Sequence, residues 1–294
     1  MIFLTSCAFG ISDFKYFSSS NLILMKFKPH FLLAFLILFT ACKTTVITGK
    51  KTYNFMSNKQ LFPMAFKQYD VFLKEHTVIT NTPESQQIKD IGARIAAAAQ
   101  KYFEYKGAAR LLQDYAWEYN LVEDPLVNAW CMPGGKIVFY TGILPIAKNP
   151  SGIAVIMGHE VAHALAEHGG QRISAGLTQQ GLGLVLNKTT ENQPEKKRKA
   201  ILAAYGVGSS VGVMLPFSRK HETEADKIGL ELAAIAGFDV TEAPKLWERM
   251  QAQGGSKPPE ILSTHPANQT RIQNLRDWGP GALALAKKIN QKAP

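Results

Sequence analysis

The sequence predicts an α+β fold, mostly helical with one small antiparallel sheet. Three observations carry that expectation. Residues 57–76, and the stretch after Thr82-Pro83 with Ile88, Ile91 and Ile95 on one face, repeat apolar side chains every three to four positions, the period of a helix with one buried face. Tyr115, Trp117, Tyr119 and Leu121 instead alternate with polar or small residues, the pattern of a half-buried strand packed on a core. Residues 127–131 and 136–140 then flank Pro133-Gly134-Gly135, a turn that folds two short strands into a hairpin. With 294 residues and no internal repeat, there is room for one domain with a real core and little for a second.

Taken in order, residues 1–41 read as an export signal. The apolar run 31–41 is short for a membrane span, and Met25-Lys-Phe-Lys ahead of it reads as a true start with a basic leader. The run ends Phe39-Thr40-Ala41-Cys42, which resembles a bacterial lipoprotein box with Phe39 in place of the usual leucine. That resemblance implies a lipid on Cys42 as a membrane anchor, a linker over residues 42–56 and a folded domain over 57–294. It also implies a bacterial cell envelope location, facing the periplasm from the outer membrane. Plain cleavage or an uncleaved anchor are the alternatives. Removing the leader removes Cys7, so Cys131 stands without a disulfide partner and reads as a strand residue. The formal charge is +10, of which +8 falls after residue 41. Apart from a run of four at 196–199 the basic residues are dispersed and no nucleic-acid-binding motif accompanies them, so acidic polypeptides or an anionic membrane suit the charge better than nucleic acid.

Residues 57–76 form the first expected helix, with Pro63 in its first turns, and Thr82-Pro83 opens a second whose Ile88, Ile91 and Ile95 share a face. After the hairpin, Asn149-Pro150-Ser151 opens a third helix, with Ser151 as its N-cap, that is apolar or small through to Gly169-Gly170. Inside it residues 159–163 read HEVAH. His159 and His163 stand one turn apart and reach one small volume, while Glu160 lies about 100° round the axis. Polar groups in so apolar a helix are costly to bury without a partner, and a zinc ion is the obvious one. Zinc would take both imidazoles, with Glu160 close enough to remove a proton from an attacking water. His168, five residues past His163, points about 140° away on an unbroken helix and reads as a surface or dipole-capping histidine.

A catalytic zinc site usually needs a third protein ligand. Ala166 and Gly169 stand where a metzincin would need glycine and histidine, which excludes that arrangement. Residues 218–229, SRKHETEADKIG, place Glu222 and Asp226 on one helical face. Glu222 can ligate while Asp226 accepts the free N–H of a zinc histidine; a solvated charged face is the alternative. Between the two helices, residues 187–199 lack apolar periodicity and read as an exposed loop. Gly206, Gly208 and Gly212 lack the lysine and strand of a phosphate loop and fit close helix packing instead.

HEVAH followed by SRKHETEAD resembles the gluzincin peptidases of the HtpX and CAAX-prenyl-protease type, in its soluble bacterial lipoprotein branch. The resemblance spans most of residues 47–278 and includes NAWCMPGGKIVFYTGIL at 128–144 and STHPANQTRI at 263–272. It implies a gluzincin-type domain with one Zn2+, held by His159, His163 and Glu222, with Glu160 as general base and Asp226 behind a ligand. It implies a sheet edge beside the zinc that holds polypeptide substrates by their backbone, with Asn128 and Ala129 as pairing residues. His265 and Arg271 are candidates to steady the oxyanion, and His265 could instead occupy the open zinc position and hold the enzyme latent. The expected function is a zinc endopeptidase that clears misfolded or unassembled envelope proteins. A zinc-stabilised chaperone or assembly factor is the alternative, against which Glu160 argues, since a structural zinc site needs no base.

Overall fold

A computed structural model describes residues 42–253, 260–266 and 268–292; the expected export signal over 1–41 lies outside them. The expected linker is instead an antiparallel hairpin, β1 (Cys42–Thr44) and β2 (Lys51–Tyr53). It is tied to the body by an ion pair from Lys43 Nζ to Glu167 Oε1 at 2.7 Å, while Asn54 Nδ2 donates to Glu167 Oε2 at 2.9 Å.

α1 (Asn58–Glu75) and α2 (Pro83–Tyr105) follow the expected periodicity, separated by the short β3 (Val78–Ile79). Thr82 caps α2 by accepting from the Ser85 N–H at 3.2 Å while Ser85 Oγ accepts from the Thr82 N–H at 3.1 Å, and Ile88, Ile91 and Ile95 are buried. β4 (Glu118–Val122), β5 (Ala129–Met132) and β6 (Lys136–Tyr140) complete a sheet ordered β3-β4-β6-β5. The turn needs glycine at both Gly134 and Gly135, each with φ 89°. β6 rather than β5 lies beside β4, so that pairing is parallel and the sheet is mixed; β5 is left as an edge. The fold is therefore the expected mostly helical α+β.

After the short α3 (Leu144–Ala147), α4 (Pro150–Leu165) runs through the core with every residue from Gly152 onward buried. Its cap is Asn149, which accepts from the Gly152 N–H at 2.9 Å; Ser151 instead accepts the Asp239 N–H at 3.2 Å. The helix also ends earlier than expected, because Glu167 adopts a left-handed backbone at φ 58°. α5 (His168–Thr189) then starts in a new direction, and after residues 190–194 the chain returns through α6 (Glu195–Ser209). The exposed loop expected at 187–199 is thus two helix ends and a short turn. Glu195 to Ala200 favour helix by intrinsic propensity, aided by a Glu195–Lys199 pair at 2.6 Å, and bury no apolar face that periodicity could report. A π-helical turn at Ser210–Met214 leads into α7 (Leu215–Ile235), which crosses α4 in the core. α8 (Glu242–Ala252), α9 (Glu260–Thr264) and α10 (Gln269–Lys292) close the domain.

Candidate metal centre

The helical spacing in α4 does what it predicts: His159 and His163 are both buried, with their Nε2 atoms 3.1 Å apart. α7 brings Glu222 against them, Oε2 at 3.4 Å from His159 Nε2 and Oε1 at 3.3 Å from His163 Nε2. His265, in the segment after α9, places Nδ1 2.7 Å from Glu222 Oε2 and 3.1 Å from His159 Nε2. One ligand atom from each of the four lies within 4.8 Å of all the others.

The outer nitrogens decide which ring atoms are free. Asp226 Oδ1 sits 3.0 Å from His159 Nδ1, so that nitrogen carries the proton and Nε2 keeps its lone pair for the centre. Asp226 is itself gripped by Arg271, through Nε at 2.5 Å and Nη2 at 2.7 Å, and the guanidinium lies 3.4 Å over the Trp247 ring. Arg271 therefore stands behind His159 and braces it; it does not front the cleft.

His163 is oriented by a residue whose expected position the structure corrects. His168 is fully buried, with Nδ1 3.0 Å from His163 Nδ1 and Nε2 3.1 Å from Glu224 Oε2. Glu224 can only accept, so His168 donates from Nε2 and accepts the His163 Nδ1–H, leaving His163 Nε2 free for the centre. His221 stacks on His168 with ring centroids 4.0 Å apart. The angular argument that sent His168 to the surface fails because Glu167 breaks the helix between them. Glu224, on the charged segment that could have been solvated, is half-buried and faces His168 instead. No local sequence signal marks either residue.

Burial lowers the pKa of His163 well below its ordinary value and also lowers that of His168, in keeping with neutral rings. Burial would raise the Glu222 carboxyl, but hydrogen bonds to His159, His163 and His265 outweigh it and hold the group far below the usual carboxylate range. Burial likewise opposes charging His159, yet Asp226 and Glu222 raise it to about 9 in the metal-free cluster.

Glu160 is buried, and its Oε1 has no hydrogen-bond partner among the described residues. A buried carboxylate oxygen so placed requires a water or ligand beside it. Two imidazole nitrogens, one carboxylate and this orphaned oxygen fit a catalytic zinc ion. A cleft of about 320 Å³ opens onto Glu160, His163 and His265 between Leu61 and Phe62 of α1 and the β5 edge. The Asn128 carbonyl accepts from the Tyr140 N–H at 3.1 Å, so Asn128 is turned into the sheet. By alternation Ala129 and Cys131 direct their main-chain groups away from β6, and the Ala129 N–H donates to Asn128 Oδ1 at 2.9 Å; the main chain of Asn128, an expected pairing residue, is engaged with β6 instead. The Cys131 side chain is half-buried, and burial pushes its thiol up, consistent with no nucleophilic role.

The family model of peptidase family M48 matches residues 84–279. The chain belongs to peptidase family M48. The mitochondrial metalloendopeptidase OMA1 of Schizosaccharomyces pombe is 31% identical over 83% of this chain and 68% of its own length. The OMA1 of Saccharomyces cerevisiae is 37% identical over 68% of this chain and 57% of its own. The beta-barrel assembly-enhancing protease of Escherichia coli is 32% identical over 55% of this chain and 34% of its own. The chain thus spans between about a third and two thirds of these relatives. It is a metalloendopeptidase, as expected. The bacterial-envelope location is corrected: the OMA1 relatives from fungi, a plant and animals are named as mitochondrial enzymes, and the leader's likeness to a lipoprotein box does not outweigh them. The resemblance holds at the level of the M48 family, and these relatives bear names other than HtpX or CAAX-prenyl protease.

Proposed function

We propose that this M48 chain is a zinc-dependent endopeptidase of protein quality control, cutting peptide bonds in misfolded or unassembled polypeptides. The observation that carries the reading is the convergence of His159, His163 and Glu222 beside the unpartnered oxygen of Glu160, on a cleft bordered by a free strand edge. His159, His163 and Glu222 would hold the ion, which supplies Lewis acidity toward the attacking water and the scissile carbonyl. Glu160 takes the water proton and returns it to the leaving amine. His265, with Nε2 3.6 Å from Glu160 Oε1, is the group on the cleft floor able to touch the reacting carbonyl oxygen or to close the centre at rest. An extended chain on β5 would be held by the Ala129 carbonyl and the main chain of Cys131, which leaves its side chains weakly selected. That suits substrates defined by being unfolded, and the name of the Escherichia coli relative, an assembly-enhancing protease, supports it.

The test is cleavage by the zinc-loaded full chain of one polypeptide offered folded and unfolded. Preferential cutting of the unfolded form is expected. Equal cutting of both forms contradicts the quality-control reading, and no cutting of either contradicts the mechanism.

A further inference from the structure

We propose that the α5–α6 hairpin is a docking arm that lays aliphatic rows into an anionic membrane surface. This stands apart from the chemistry of the metal centre. After Ser174, α5 has no buried residue, and α6 has none at all. From Ser174 to Thr189 the helix extends about 23 Å at 1.5 Å per residue, so the arm is a helical pair that adds almost nothing to the core.

Among its exposed residues are aliphatic ones that recur in register. Ile173, Leu177 and Leu184 fall on one face of α5 with Lys188 a turn further on, and Leu184 is 70% exposed. On α6, Lys196, Ala200, Ala204 and Val207 share a face, and Val207 is 66% exposed. Aligned rows of this kind mark a surface that meets another phase, unlike single scattered aliphatics.

The charge identifies that phase. The arm, residues 168–209, holds six lysines and arginines against Glu191 and Glu195, a balance of +4. Lys196, Lys197, Arg198 and Lys199 cluster at the tip, next to the turn. Glu191 and Glu195 pair with Lys188 and Lys199, which leaves Arg172, Lys196, Lys197 and Arg198 as net positive charge beside the aliphatic rows, the composition of an interfacial helix on anionic lipid. A second copy would bring the same positive charge against the arm. An acidic peptide would match the tip and leave the rows unmatched. Among the described residues no helix is long and apolar enough to cross a membrane, so the arm would lie along the interface. Gly169, Gly170 and Arg172 at its root line the cleft, so docking would hold the cleft beside the bilayer.

The test uses the full chain carrying Cys42→Ser, so that no acyl chain can attach, and co-sedimentation with phosphatidylcholine vesicles with or without phosphatidylglycerol. Binding to the anionic vesicles is expected. It should weaken about tenfold or more in Leu177→Gln/Leu184→Gln/Val207→Gln and in Lys196→Ala/Lys197→Ala/Arg198→Ala/Lys199→Ala. Zinc content and circular dichroism of these variants should match the parent, since every altered side chain lies outside the core. In Leu184→Trp, brominated lipid should quench emission beyond that of the parent. Equal binding by parent and variants overturns the proposal. So does a triple variant that still binds vesicles but loses a dimer in sedimentation velocity, which would assign the rows to a second copy.

Discussion

Gly229 of α7 lies directly against the backbone of His159: a β-carbon added to Gly229 would stand 2.6 Å from the His159 amide nitrogen. A β-carbon on Gly158 would meet the Gly229 carbonyl oxygen at the same 2.6 Å. The two helices that supply ligands therefore touch backbone to backbone, and this contact brings Glu222, two turns before Gly229, within reach of both histidines. Gly229→Ala must push the helices apart. Overpacking of this kind costs about 1–3 kcal/mol, and a melting temperature lowered by roughly 3 °C or more is expected for a domain of this size. Zinc affinity should fall with it. Thermal melts and zinc titration check both, and an unchanged variant contradicts the close-contact account.

Glu160→Gln should keep zinc and lose proteolysis by about two to four orders of magnitude, because the amide cannot take a proton while the ligand set is intact. Single-turnover cleavage alongside metal analysis separates the two effects. Near-parental cleavage would remove Glu160 from the role of base.

The ligands and their partners should grade in severity. Glu222→Ala is expected to lose bound metal, whereas Asp226→Asn and His168→Phe should retain it with affinity weakened roughly ten- to a hundred-fold, as for other partners of metal histidines. Glu224→Ala should resemble His168→Phe, since Glu224 acts through His168. Competition titration against a zinc dye gives the order, and release of zinc by Glu224→Ala but not by Glu222→Ala would invert the assignment.

His265→Ala should raise basal proteolysis at saturating zinc. The Nδ1 atom of His265 belongs to the same four-atom cluster as the ligands, so it competes for the position an attacking water needs. Lowered turnover would instead give His265 the oxyanion role.

HEVAH and the Glu222–Asp226 spacing were readable because a continuous helix fixes the angle between residues four apart. His168 was misplaced by the same rule, since Glu167 breaks the helix at a non-glycine residue whose left-handed backbone has no local signature. α6 escaped periodicity because it buries no face. The parallel pairing of β4 with β6 was illegible for another reason: strand patterns reveal which residues extend and not which strand becomes the neighbour. Arg271 could be singled out as important, but only the packed structure shows it bracing Asp226 and lying over Trp247.

The turn at 190–194 has one more consequence. Everything before it contributes the two histidines and the base, everything after it contributes Glu222 and His265, and the halves are joined in the core by the contact of α4 with α7. The covalent link through the arm tip is not what holds them together. Two polypeptides divided there and produced side by side are therefore expected to rebuild one metal centre that neither fragment holds alone.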